Sequence, residues 1–175
     1  MPKKTLPILT LAAMLLSPAA LAIPQVGAEF PTFEATDITG QGHHTRELRG
    51  HPTLVLLGSD SDAGDALRAW GEIANRRLPP GAERLIVMAM HLVFIIPTAT
   101  ARSMARNQTP ERFWHQSWID TGGTLRERVG VPESEVPFVF VLNSEGRVVA
   151  SVHSLAGAPG TEQIWRALDR EARDH

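Results

Sequence analysis

Three carboxylates, Asp60, Asp62 and Asp65, fall within six residues. Hard divalent cations prefer such oxygen ligands, and paired carboxylates can split their pKa values into an acid and a base. The segment faintly resembles a calcium loop but lacks its distal bidentate Glu, and nothing nearby completes an acid–base pair. Helix capping is therefore the expectation, with Asp62 as N-cap and Asp65 in an acidic first turn. Met88, Met90, His91 and His153 are soft or borderline donors that suit copper. Met88 and Met90 alternate within an apolar run, however, where methionine usually fills core space. His43, His44 and His51 form a second imidazole group. Adjacent side chains seldom converge on one ion, so these read as solvated loop histidines. Trp114, His115 and Trp118 are spaced to line a groove or, more commonly, to pack the core. Ser59 and Ser61 lack both a nucleophile elbow and a His placed as base. No cofactor is expected.

The chemistry that is excluded is firmer. Among 175 residues there is no cysteine. Disulfides, thiolate metal sites, thiol peroxidase turnover and dithiol exchange are beyond this chain alone, so it has no thiol-dependent oxidoreductase activity of its own. A formal charge of -2 leaves no basic footprint for nucleic acid.

The elements that must position these residues follow from the apolar pattern. Residues 1–22 read as a signal peptide. Lys3 and Lys4 precede an apolar run from Leu6 to Leu16, and Ala20-Leu21-Ala22 offers a cleavage site. The run is shorter than the roughly 20 residues of a membrane span, so the chain is expected to be exported. Removal leaves 175 − 22 = 153 residues with 15 Arg against 19 acids, a formal charge of -4. Within 23–175, a single domain is expected. Phe33 to Asp37 suits an edge strand and Ile38 to Gly42 a turn. Thr53 to Leu57 suits a strand buried on both faces, and Leu67, Trp70 and Ile73-Ala74 are spaced as a helix. Residues 85–90 suit a second central strand, followed by a loop or short element to Pro97 and a helix from Thr98 to Met104. Trp118 to Asp120 reads as strand, Thr124 to Arg128 as helix, Pro137 to Leu142 and Arg147 to Val152 as a hairpin, and Thr161 to Arg173 as an amphipathic helix. A mixed α/β sheet with helices on both faces follows.

This order, with certain residues, resembles the thioredoxin fold, and within it the periplasmic redoxins: thiol-disulfide reductases and proteins of the alkyl hydroperoxide reductase type. The lead-in Val26-Gly27-Ala28-Glu29-Phe30-Pro31-Thr32-Phe33, the turn Asp37-Ile38-Thr39-Gly40 and Leu48-Arg49-Gly50 match the opening of that branch. Trp118-Ile119-Asp120-x-x-Gly123, Gly130-Val131, Val136-Pro137 and Phe140-Val141-Leu142-Asn143-x-x-Gly146-Arg147 match its second half, so the resemblance covers about residues 26–172. The family's Cys-x-x-Cys falls on Asp62-Ala63-Gly64-Asp65, where both thiols are replaced by carboxylates. Trp114-x-Gln116-x-x-x-Asp120-x-x-Gly123 and Asn143-x-x-Gly146-Arg147-Val148 are also similar to the exported YtfJ-type proteins, which lack the dithiol.

The resemblance implies a cis Val136–Pro137 bond beside the start of the helix that follows the first core strand. It also implies that this loop can pair with an extended peptide. Asp62, Asp65, Val136 and Pro137 are thus the candidate partner-binding residues, and a periplasmic protein or peptide the expected partner. Two like charges at about 4 Å interact by about 4 kcal/mol at an effective dielectric near 20. That exceeds the roughly 0.3–1 kcal/mol of a helix end, so the junction should reject anions and accept neutral or basic segments. The alternatives are copper handling through the His and Met residues and a residual non-thiol enzyme using Asp62 or Asp65.

Overall fold

The computed structural model describes residues 23–89, 98–120 and 124–175; the expected signal peptide and the element expected just after residue 90 lie outside them. Among the described residues no helix is long and apolar enough to cross a membrane. The strands are β1 (Glu34–Asp37), β2 (Gly42–His44), β3 (Thr53–Gly58), β4 (Glu83–Ala89), β5 (Ser117–Asp120), β6 (Phe138–Leu142) and β7 (Val148–His153). The helices are α1 (Gly64–Arg77), α2 (Thr98–Gln108), α3 (Thr124–Val129) and α4 (Glu162–Asp174).

The strands form one mixed sheet in the order β2-β1-β5-β4-β3-β6-β7. β3 lies parallel to β4, and β4 to β5, with α1 crossing between β3 and β4. β6 and β7 form an antiparallel hairpin beside β3, and β1 and β2 a second antiparallel pair beside β5. Every residue of β3 and β6 is buried, as their continuous apolar runs require of strands covered on both faces.

Because side chains alternate along a strand, the sheet separates two cores. Val55, Leu57, Leu85, Val87, Phe138 and Phe140 point to one face, where they pack with Phe30, Phe33, Trp118, Leu125 and Val129. Leu54, Leu56, Val139 and Val141 point to the other, against Leu67 and Trp70 of α1 and Ile164, Trp165 and Leu168 of α4. The Trp70 indole N–H donates to the Ser154 carbonyl at 2.9 Å, tying α1 to the end of the hairpin.

Three expectations are corrected and one element is added. His43 and His44 belong to a strand, β2, not to a solvated loop. The 110s form a 3-10 turn, Glu111–Gln116, before β5. α2 continues beyond Met104 to Gln108. The Val136–Pro137 bond is trans, since no described peptide bond is cis. Its backbone is already satisfied in that form: the Val136 N–H donates to Ser134 Oγ at 3.0 Å, and the Ser154 N–H donates to the Pro137 carbonyl at 3.3 Å. Nothing there offsets the usual trans preference.

Candidate functional site

The turn after β3 carries the positions matched to the missing dithiol. Gly58 is closely packed there: an added Cβ would stand 2.7 Å from Leu67 Cδ1 and 2.9 Å from Met88 Sδ, so those side chains would have to shift. Ser59 is buried and donates its hydroxyl to the Pro132 carbonyl at 2.8 Å. Asp60, in extended conformation, accepts from the Asp62 N–H at 2.8 Å and so caps the 3-10 turn Ser61–Ala63 that leads into α1. Capping therefore falls to Asp60, not Asp62; the residue before α1, Ala63, supplies no side-chain cap. Asp62 is exposed, and Asp65 pairs with Arg68 at 2.9 Å one turn along the helix.

The facing loop is as closely held. His153 Nε2 lies 3.0 Å from the Val136 carbonyl and 2.9 Å from Ser134 Oγ, and its ring stacks on Phe138 at 4.0 Å. Val136 is half-buried and Pro137 buried. The structure thus brings Asp62 and Asp65 to the start of α1 and joins that turn to the 132–137 loop through Ser59. The Val136 N–H is used within the loop, and its carbonyl faces His153 of β7.

The sets built from histidine and methionine fare differently. Met90 and His91 lie outside the described residues. Met88 is on β4 and His153 on β7, three strand spacings or about 14 Å apart, so these two cannot share one ion. His51 is exposed and contacts His175. Trp118 is core, and Trp114 is half-buried with its indole N–H on the Thr109 carbonyl at 2.9 Å. The Ser59 hydroxyl is committed to the Pro132 carbonyl, and among the described residues no base hydrogen-bonds to it.

A second polar centre escaped the sequence reading. The Asp37 side chain is 0% exposed. Its Oδ1 accepts from the N–H groups of Thr39, Gly40 and Gln41 at 2.8, 2.9 and 3.0 Å, and from the Thr39 hydroxyl at 2.6 Å. Its Oδ2 faces two imidazoles, His43 Nε2 at 3.1 Å and His115 Nδ1 at 2.7 Å. Burial alone would raise the Asp37 pKa, but the hydrogen bonds from Thr39, His43, His115 and Gln41 outweigh it and hold the carboxyl well below its ordinary range. His43 turns its other nitrogen, Nδ1, to Glu47 Oε2 at 2.8 Å and stacks on Trp118 at 4.9 Å. Burial would lower its pKa, yet Glu47 and Asp37 together raise it. Glu47 is fixed in turn, its Oε1 accepting from the His44 N–H at 2.9 Å. A cleft of about 470 Å³ opens along this sheet edge, with Glu34, His43, Glu47 and Asp120 in its wall.

In fold the protein is thioredoxin-like. It superimposes on the thiol peroxidase from Chromobacterium violaceum with a TM-score of 0.62 and 14% identity, covering 90% of this chain and 93% of that one. The exposed lipoprotein thioredoxin Etrx1 from Streptococcus pneumoniae gives 0.57 and 17% identity, over 79% and 98% of the two chains. BsSco, a member of the Sco family of cytochrome c oxidase assembly proteins, gives 0.59 and 10% identity, over 86% and 98%. No protein-family model and no curated protein matches the sequence. The thioredoxin-like fold is therefore present without a thiol in the chain.

Proposed function

We propose that the protein is an exported, redox-silent thioredoxin-fold binding module that docks a basic peptide or protein segment where the Asp60–Asp65 turn meets the 132–137 loop. One observation carries this reading: the Ser59–Pro132 hydrogen bond joins two acidic segments, Asp60, Asp62 and Asp65 on one side and Glu133 and Glu135 on the other. Asp65 and Glu133 have arginine partners, Arg68 and Arg126, while Asp62 and Glu135 stand exposed. Concentrated negative charge favours a cationic partner and speeds its encounter. Strand addition by the partner must compete with the His153 and Ser134 contacts of Val136, so side-chain charge supplies more of the recognition than backbone pairing. The signal-like residues 1–22 support a periplasmic setting.

The test uses mature protein and two fluorescent peptides, one arginine-rich and one of glycine and serine. Binding of the first, weakening as salt rises and reduced in Asp62→Asn/Asp65→Asn, supports the reading. Equal binding of both peptides, or an unchanged double variant, removes it. N-terminal sequencing of protein recovered from the cell envelope should begin at Ile23; intact Met1 would overturn export with cleavage.

A further inference from the structure

We propose that Asp37, His43 and His115 form a binding site for a divalent transition metal of the zinc class. Asp37 Oδ2, His43 Nε2 and His115 Nδ1 all lie within 4.8 Å of one another. One carboxylate oxygen and two imidazole nitrogens suit zinc, cobalt or nickel better than calcium or magnesium, which want oxygen shells. The centre stands on β1, three strand spacings or about 14 Å from β3, so it is separate from the docking junction.

The surroundings divide the labour as a metal site needs. Oδ1 of Asp37 takes the hydrogen bonds of its own turn, which leaves Oδ2 for the imidazoles. Glu47 accepts from Nδ1 of His43 and so directs Nε2, the metal-facing nitrogen, toward Asp37. A carboxylate behind a ligating imidazole fixes tautomer and ring orientation, and the Trp118 stack holds the ring plane. Glu47 is itself held by the His44 N–H, so the support extends one bond further. Together Asp37 and Glu47 bring two negative charges to a dication. Arg102 and Arg106 approach the same turn, but their guanidinium groups are directed to Thr36 Oγ1 and the Ile38 carbonyl.

Binding adjusts all three ligand pairs, the two imidazole nitrogens included, which lie within 4.8 Å of one another. With metal–ligand bonds of about 2.0–2.1 Å in a tetrahedron, neighbouring ligand atoms stand roughly 3.3 Å apart. The observed 3.1 and 2.7 Å must therefore open by a few tenths of an ångström. His115, with 67% of its side chain exposed, has room to move. Three protein ligands leave a fourth position for water or a small ligand, and the exposed side chain of His115 leaves that edge of the site open to solvent.

The experiment uses untagged mature protein stripped with EDTA. Titration with Co2+ should give the visible bands of a tetrahedral site, and Zn2+ should bleach them at one equivalent per chain. His115→Ala removes an exposed ligand, and its circular dichroism reports whether the fold is kept. It should weaken Zn2+ at least 10-fold, and Glu47→Gln should weaken it about 10- to 100-fold. His51→Ala should bind as wild type. Absence of one-to-one binding would overturn the site, as would less than a 10-fold loss in His115→Ala or an equal loss in His51→Ala.

Discussion

The Ser59 hydroxyl reaches the Pro132 carbonyl across 2.8 Å, joining two segments 73 residues apart in sequence. Ser59 is buried, whereas Pro132 is exposed, so water can replace the donor once it is removed. Ser59→Ala should therefore cost only about 0.5–1.5 kcal/mol, the net worth of one neutral hydrogen bond, read from urea unfolding. Binding of the arginine-rich peptide should fall as well, because the two acidic segments are no longer tied. A stability loss above 3 kcal/mol would mean that the bond holds more than this junction.

Asp62 and Asp65 lie three residues apart at the start of α1. In helical geometry that spacing puts Cα atoms roughly 5 Å apart, within the range a disulfide bridges. Asp62→Cys/Asp65→Cys should form an internal disulfide on mild oxidation, detected by mass and by loss of free thiol. The unmodified protein should reduce neither insulin nor peroxide above a blank. A double variant that stays reduced would refute the placement of the family's dithiol at these positions.

Gly58 packs where any Cβ would press on Leu67 and Met88. Gly58→Ala should destabilise by about 1–3 kcal/mol, as overpacking does. The cost should shrink when Leu67→Ala is added, because the cavity accepts the new methyl group, and a double-mutant cycle reads the coupling. Independent effects of the two changes would place the strain elsewhere.

Arg77 pairs with Glu162 at 2.6 Å and lies over the Trp165 ring at 4.9 Å, joining α1 to α4. The Arg77 guanidinium lowers the Glu162 pKa below the ordinary 4.5. A depressed carboxyl contributes stability above its unfolded value and loses it as pH falls through the folded one. The stability difference between wild type and Arg77→Gln should therefore be constant above about pH 5.5 and shrink below pH 4.5. A difference that grows on acidification would contradict the pairing.

Much of the scaffold was legible because apolar runs are local signals. Thr53 to Leu57 and Phe138 to Leu142 declare buried strands by themselves, and the α4 spacing of Ile164, Trp165 and Leu168 declares a buried face. The docking candidates are legible only through the resemblance to a family, and the structure sets Asp62 and Asp65 at the helix start. It also moved the cap to Asp60, since an N-cap needs extended dihedrals that only the backbone path decides. The Asp37 centre was not legible. His115 is 78 residues from Asp37, and they meet because β1 pairs antiparallel with β5, which no periodicity announces. His43 looked solvated because β2 is only three residues long, too short for an alternation to register. The one local hint was Asp37 before Thr39-Gly40, a carboxylate placed to collect the N–H groups of its own turn.

The sheet that parts the two cores also parts what natural variation can reach. Trp118, which holds the His43 ring, belongs to the Phe30–Phe33–Phe140 compartment, while α1 and α4 rest on the other side. Substitutions behind α4 can therefore tune the melting temperature while the Asp37 centre keeps its geometry, since effects of well-separated residues add. A chain built this way can drift in robustness through one compartment and in ligand preference through the other, and neither drift constrains its neighbour.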